Sequence, residues 1–332
     1  MFLTPPRIAH PFQPTRNITR QAYEQQVDFY FENGYVEDPA SFFTLNETSP
    51  DYRMVEDKPY RDGRYQVVAY DSGYSVKNPL IRGQFDSFEK NKTGYLVRWV
   101  HPKPTGKTLL CLHGYMLGDP AQAHRMFNME KLYTMGLDLA LFITPFHWRR
   151  SAPGKTRRGI LLRTDHVGFT CEAMGQTMND LNHCMNILKK NHAGDIGIIG
   201  ASLGAYNASL FSCLSDKQAF AAMMVPAVNF SKPYGPSFAK LSFPVDAVFM
   251  EKIRKVWELH SPLNHRPLLS TDKMLFVASR GDRLCPFEYI QGLQKQWGFK
   301  RYHYMTGGHW LIFNGEIRGK AWYGFLSDMG FI

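Results

Sequence analysis

Three observations predict an α/β fold with a central, mostly parallel sheet and helices on both faces. First, short apolar runs alternate with longer helical stretches over the last two thirds of the chain, the signature of strands buried on both sides. Second, two earlier runs, Tyr65–Tyr70 and Tyr95–Val100, show strand alternation with turn residues between them, which suggests antiparallel pairing near the start. Third, Gly200-Ala201-Ser202-Leu203-Gly204 follows the apolar run Ile196–Ile199 and opens a predicted helix, so a G-x-S-x-G pentapeptide falls on a strand-to-helix turn.

The elements follow in order. Residues 1–60 are aromatic-rich and irregular and read as an N-terminal extension packing on a main domain at 61–332, with an oligomer contact as the alternative use. Within the extension, Tyr23, Val27, Tyr30 and Phe31 repeat at helical spacing between Thr19 and Asn33, ahead of Gly34. After the two antiparallel candidates come Thr108–Leu112, Leu139–Ile143, Ile196–Ile199, Ala221–Val225, Met274–Ala278 and Arg301–Met305. Helices are expected near 121–135, 172–191, 204–215 and 287–297, and from about Trp310. The segment 230–269 interrupts the alternation with five prolines and an amphipathic piece, Val245–Leu259, and reads as a small cap-like insertion or a surface excursion.

Bulk properties narrow the class. The 332 residues suit one large α/β domain with insertions, and 44% hydrophobic with 20% charged residues is an ordinary globular composition. No apolar stretch is long enough to span a bilayer. The first twenty residues hold four prolines and no apolar signal region, so a cytoplasmic location is expected. The five cysteines, Cys111, Cys171, Cys184, Cys213 and Cys285, match no zinc or redox spacing and read as buried apolar residues in a reducing compartment. A formal net charge of +10 permits anionic partners, but no nucleic-acid-binding motif accompanies it, so none is expected.

The chemistry is carried by residues far apart in sequence. A tight turn at Ser202 would lift its hydroxyl above the sheet as a nucleophile, with glycines where a side chain would strike the neighbouring strand or helix. His309, in Gly307-Gly308-His309-Trp310 after the last strand, is the candidate base. Asp282, in the turn after Met274–Ala278, is the candidate acid and lies between Ser202 and His309 in chain order. Asp246 is the runner-up acid, while Asp272 precedes its strand and falls at the wrong edge. The oxyanion donors would be the backbone N–H of Leu203, at a helix N-terminus, and that of Tyr115, in the loop His113–Gly118. His113 reads as a structural hydrogen-bonding residue.

With HGYML, GASLG, GDRLCP and GGHW in this order and on these elements, the chain from about residue 65 resembles the α/β-hydrolase superfamily. It looks most like dienelactone-hydrolase and acetyl-xylan-esterase members and a group with an Arg-rich loop after strand four. The resemblance implies an eight-stranded sheet and a serine hydrolase acting on acyl bonds, without cofactor or metal. Ester hydrolysis is the leading expectation; thioesterase, acyltransferase and a non-catalytic ligand-binding protein use the same frame. Residues 149–163 carry Arg149, Arg150, Lys155, Arg157, Arg158 and Arg163 without an acidic residue. They are expected at the ligand-binding edge as an anion clamp for anionic or acyl-lipid substrates, or as a solvated surface run. Met116, His147, Trp148, Arg149 and Arg150 are the candidate substrate contacts, and Phe146 and Trp148 would serve a membrane-surface contact.

Overall fold

A computed structural model describes residues 18–151, 161–162, 166–191, 194–231, 243–310 and 313–332. Among the described residues, nine strands form a single sheet. They are β1 (Tyr52–Tyr60), β2 (Gly63–Asp71), β3 (Thr93–Val100), β4 (Lys107–Leu112), β5 (Asp138–Phe142), β6 (Asp195–Ala201), β7 (Phe220–Met224), β8 (Met274–Ser279) and β9 (Tyr302–Met305). The order across the sheet is β1-β2-β3-β5-β4-β6-β7-β8-β9. β1, β2 and β3 run antiparallel to their neighbours, and from β5 onward every pairing is parallel.

The expected eight strands are therefore nine. The addition, β1, is an edge strand with the sequence YRMVEDKPY and little buried surface. An edge strand needs no apolar face to exist, because its neighbour supplies the ladder, and its charges and Pro59 blunt the free edge.

Central strands are buried on both sides. In β4 and β5, Leu110, Leu112, Ala140 and Phe142 face one core layer, while Leu109, Cys111, Leu139 and Leu141 face the other. The first layer is covered by α5 (Val167–Lys190), α6 (Leu203–Leu214), α7 (Ala247–Glu258) and α8 (Phe287–Trp297). The second is covered by α3 (Pro120–Met126), α4 (Met129–Thr134) and α9 (Gly315–Asp328). The helix expected over 121–135 is split in two at Asn128, which adopts a left-handed φ of 50°. A short helix, α2 (Pro79–Asp86), starts at a proline behind the Asn78 cap.

The N-terminal helix α1 (Arg20–Glu32) is capped by Thr19, whose side chain accepts the Ala22 N–H. It buries Tyr23, Val27 and Tyr30 in the first core layer, beside α5 and α7. The Glu172 carboxylate on α5 gathers the Tyr30 and Tyr74 hydroxyls and the Lys77 and Asn78 N–H groups. Helix α7, the amphipathic piece of the 230–269 insertion, packs against α1 and α5; residues 232–242 of that insertion lie outside the described residues. No described helix is long and apolar enough to cross a membrane. All five cysteines are buried and free.

Candidate active site

The parallel strands end on one edge, and the turns leaving that edge are strained. Among the described residues, five non-glycine residues with positive φ lie there: Met116, Phe146, Trp148, Ser202 and Val225, following β4, β5, β6 and β7. Such conformations persist only where surrounding structure enforces them, and they concentrate at functional sites.

Ser202 is the junction of β6 and α6, with φ 55° and ψ −112°. Its N–H donates to the Met224 carbonyl at 2.9 Å, and its carbonyl accepts the Tyr206 N–H at 3.0 Å, so strand and helix pin the turn from both sides. A Cβ at Gly204 would collide with the Leu112 carbonyl, and one at Gly200 with the backbone of Gly204. The pentapeptide needs its glycines because helix and strand approach to backbone contact.

Asp282 sits in the turn after β8. Its Oδ1 accepts the Leu284 N–H at 2.9 Å and the Cys285 N–H at 2.8 Å, which fixes the carboxylate. The turns after β8 and β9 are tied together, Gly281 N–H donating to the Gly307 carbonyl at 2.9 Å. That contact brings His309 in: its Nδ1 lies 2.7 Å from Asp282 Oδ2, and its Nε2 lies 3.0 Å from Ser202 Oγ. An ionised Asp282 accepts from Nδ1–H, leaving Nε2 as the acceptor for the serine hydroxyl. Both the imidazole and the carboxylate are almost wholly buried. Cys285 adds a third ligand-type atom within 4.8 Å of Asp282 and His309. Burial and the nearby Asp282 charge push its thiol well above the usual range, so the thiol stays neutral.

The loop after β4 runs beside the serine: a Cβ placed on Gly114 would stand 3.7 Å from Ser202 Cβ. Two neutral histidines hold this loop. His113 Nδ1 donates to the Gly114 carbonyl at 2.8 Å and Nε2 accepts the Thr144 N–H at 3.2 Å. His147 Nδ1 donates to the Pro145 carbonyl at 2.9 Å and Nε2 accepts the Met116 N–H at 3.1 Å. Burial lowers the His113 pKa to about 3 and that of His147 to about 4. The Met116 amide is thus committed to His147. Leu203, the first residue of α6, has an N–H with no acceptor inside its helix.

The expected substrate contacts divide. Met116, His147 and Trp148 line the cavity above Ser202, but both ring nitrogens of His147 are spent on backbone, so it serves the loop and not a ligand. Arg149 and Arg150 line no part of that cavity, against expectation. Arg150 is 1% exposed and turned inward, donating to the Ile143 and Asn91 carbonyls and pairing with buried Asp180 at 2.6 Å. Arg149 pairs with Glu56 of β1 and lies over the Trp148 ring, 4.4 Å from its centroid. A charge run read from sequence counts cations but not their partners, and here β1 and α5 supply both carboxylates. Lys155, Arg157, Arg158 and Arg163 lie outside the described residues. Asp246 caps α7 and pairs with Arg20, so it takes no part in the site; Asp272 precedes β8, as expected.

The cavity above Ser202 and His309 has a volume of about 860 Å³. Its walls include Met126, Phe127, Leu162, Phe230 and Leu284, and one face of α9: Gly315, Arg318, Gly319, Trp322 and Tyr323. The α9 residues were not expected. Their spacing marks a helix face, but nothing in the sequence says that this face meets the cavity.

No family model matches the chain. An uncharacterized protein of Mycobacterium tuberculosis is similar to it in two strains, with 25% identity in CDC 1551 / Oshkosh and 24% in H37Rv; each match spans 85% of this chain and 68% of the relative. Among solved structures, acetyl xylan esterase 1 from Thermoanaerobacterium sp. JW/SL YS485 superposes with a TM-score of 0.63 at 12% identity, covering 99% of both chains. An acetyl xylan esterase from Paenibacillus sp. R4 gives 0.58 at 14% identity, covering 92% of this chain and 98% of its own. At these identities the likeness is one of fold, and the fold is that of the α/β-hydrolases.

Proposed function

We propose that this α/β-hydrolase-fold protein is a serine hydrolase that cleaves carboxylic esters through an acyl-enzyme. One observation carries the reading: the unbroken relay from Ser202 Oγ to His309 Nε2 at 3.0 Å and from His309 Nδ1 to Asp282 Oδ2 at 2.7 Å, on a strained strand-to-helix turn beneath a cavity. That both neighbouring structures are named as esterases adds support.

In this reading Ser202 Oγ attacks the ester carbonyl as its proton passes to His309 Nε2. Asp282 holds the imidazole in the tautomer that can accept, and stabilises it once charged. The tetrahedral oxyanion is held by the N–H groups of Leu203 and Tyr115. His309 then gives the proton to the departing alkoxide, and water, deprotonated by the same imidazole, cleaves the acyl-enzyme. An anionic preference resting on Arg149 and Arg150 finds no support, since both have partners away from the cavity.

Ser202→Ala should lower kcat for a p-nitrophenyl ester by about 10⁴-fold with little change in KM. Retention of activity by purified Ser202→Ala protein would overturn the assignment.

A further inference from the structure

On α9, positions 315, 318, 319, 322 and 323 fall at i, i+3, i+4, i+7 and i+8, one helical face, and all of them line the cavity. Two of the five are glycines. A Cβ on Gly319 would meet nothing within 4 Å, so this glycine leaves open space along the helix instead of admitting a neighbour. From Gly315 to Tyr323 the face is about 12 Å long. Trp322 and Tyr323 on one side, with Met126 and Phe127 at the C-terminal end of α3, make it largely apolar.

Arg318 stands on that face. Among the described residues it has no hydrogen bond or ion pair, unlike Arg149 and Arg150 nearby in the same edge region. A second cation is close to the far end: Lys131 Nζ lies 4.0 Å from the Tyr323 ring centroid. Among the described residues no carboxylate pairs with Arg318. Asp119 lines the cavity but accepts the Ala121 N–H as the cap of α3, Glu130 pairs with Arg61, and Glu316 is not part of the lining. An apolar channel with a guanidinium that has no partner among the described residues suits a ligand that is apolar in its middle and anionic at a distance from the reacting carbonyl.

We infer that the α9 face is the substrate-selecting wall of the site: it takes esters whose scissile carbonyl is joined, through an extended apolar stretch, to a carboxylate or phosphate held by Arg318. The inference rests on the ester-hydrolase reading and adds the substrate class to it.

The test compares esters matched in length. Hydrogen p-nitrophenyl suberate is set against p-nitrophenyl octanoate, placing the anion on the acyl side. A long-chain acyl ester of glycerol phosphate is set against the same ester of glycerol, placing it on the alcohol side. The native protein should favour the anionic member of at least one pair in kcat/KM by about 5-fold or more, and added salt should shrink that ratio. Arg318→Gln should bring the ratio close to 1, and Arg318→Lys should keep part of it. Gly319→Leu, which fills open space on an α-helix, should lower kcat/KM for the long esters by about 10-fold relative to p-nitrophenyl acetate. Equal turnover of anionic and neutral members in both pairs, or a ratio that Arg318→Gln leaves as it was, would overturn the inference alone. Failure to hydrolyse any of the esters in a Ser202-dependent way would overturn the ester reading and this inference together.

Discussion

The two walls around Ser202 are built on opposite plans. Behind the serine, in 113–118 and 144–151, two histidines and an arginine are committed to structure. Both ring nitrogens of His113 and of His147 bind backbone, and Arg150 is locked to Asp180, Ile143 and Asn91. Across the cavity, α9 offers a guanidinium with no partner among the described residues and a glycine beside empty space. The first region holds the geometry in which an amide must sit to meet a developing charge; the second is left open to whatever enters. Charge therefore means different things in the two places. An arginine that is spent on structure cannot also select a substrate.

The largest effect that separates the walls concerns acid. The fold holds His113 and His147 neutral, with pKa values of about 3 and about 4 against an unfolded value near 6.5. Their contribution is complete above about pH 6.5 and is lost as the pH falls toward 3 to 4, because the unfolded chain binds protons that the folded one refuses. Together they should cost on the order of 5 kcal/mol of stability between pH 7 and pH 4, and His147→Gln should flatten that slope. Urea midpoints measured across this range check it; the same pH slope in native and His147→Gln protein would contradict the arrangement.

A smaller effect comes from the arginines. Arg150→Ala leaves Asp180 buried and uncompensated and should destabilise the fold by about 3–5 kcal/mol, whereas Arg318→Ala should stay within about 0.5 kcal/mol of the native protein. Chemical denaturation of the two variants gives the comparison directly. Similar losses at both positions would mean that Arg318 is a structural residue and not an open one.

Most of this organisation could be read in the sequence, and the reason is local. The buried parallel strands announce themselves as apolar runs, and α1, α6, α7 and α8 by spacing, because each element must bury a face whatever surrounds it. Ser202, Asp282 and His309 were legible because each follows a strand that ends at the same edge, and chain order did the rest. Strand β1 was not, since an edge strand borrows its order from β2 and shows no periodicity of its own. The break at Asn128 was hidden because a left-handed residue between two helices leaves the apolar spacing nearly intact. The fate of Arg149 and Arg150 depends on Glu56 and Asp180, at ranges in sequence that no motif spans. The cavity face of α9 is likewise a matter of how helices pack and not of which residues they contain.

The central claim is that Ser202 is a nucleophile activated by His309 and Asp282. Incubating the folded protein with a fluorophosphonate and mapping the adduct by mass spectrometry tests this most directly. The account predicts one covalent label, on Ser202, with its rate reduced at least about 100-fold in His309→Ala. A folded protein that refuses the label, or one that carries it on another residue, would contradict it.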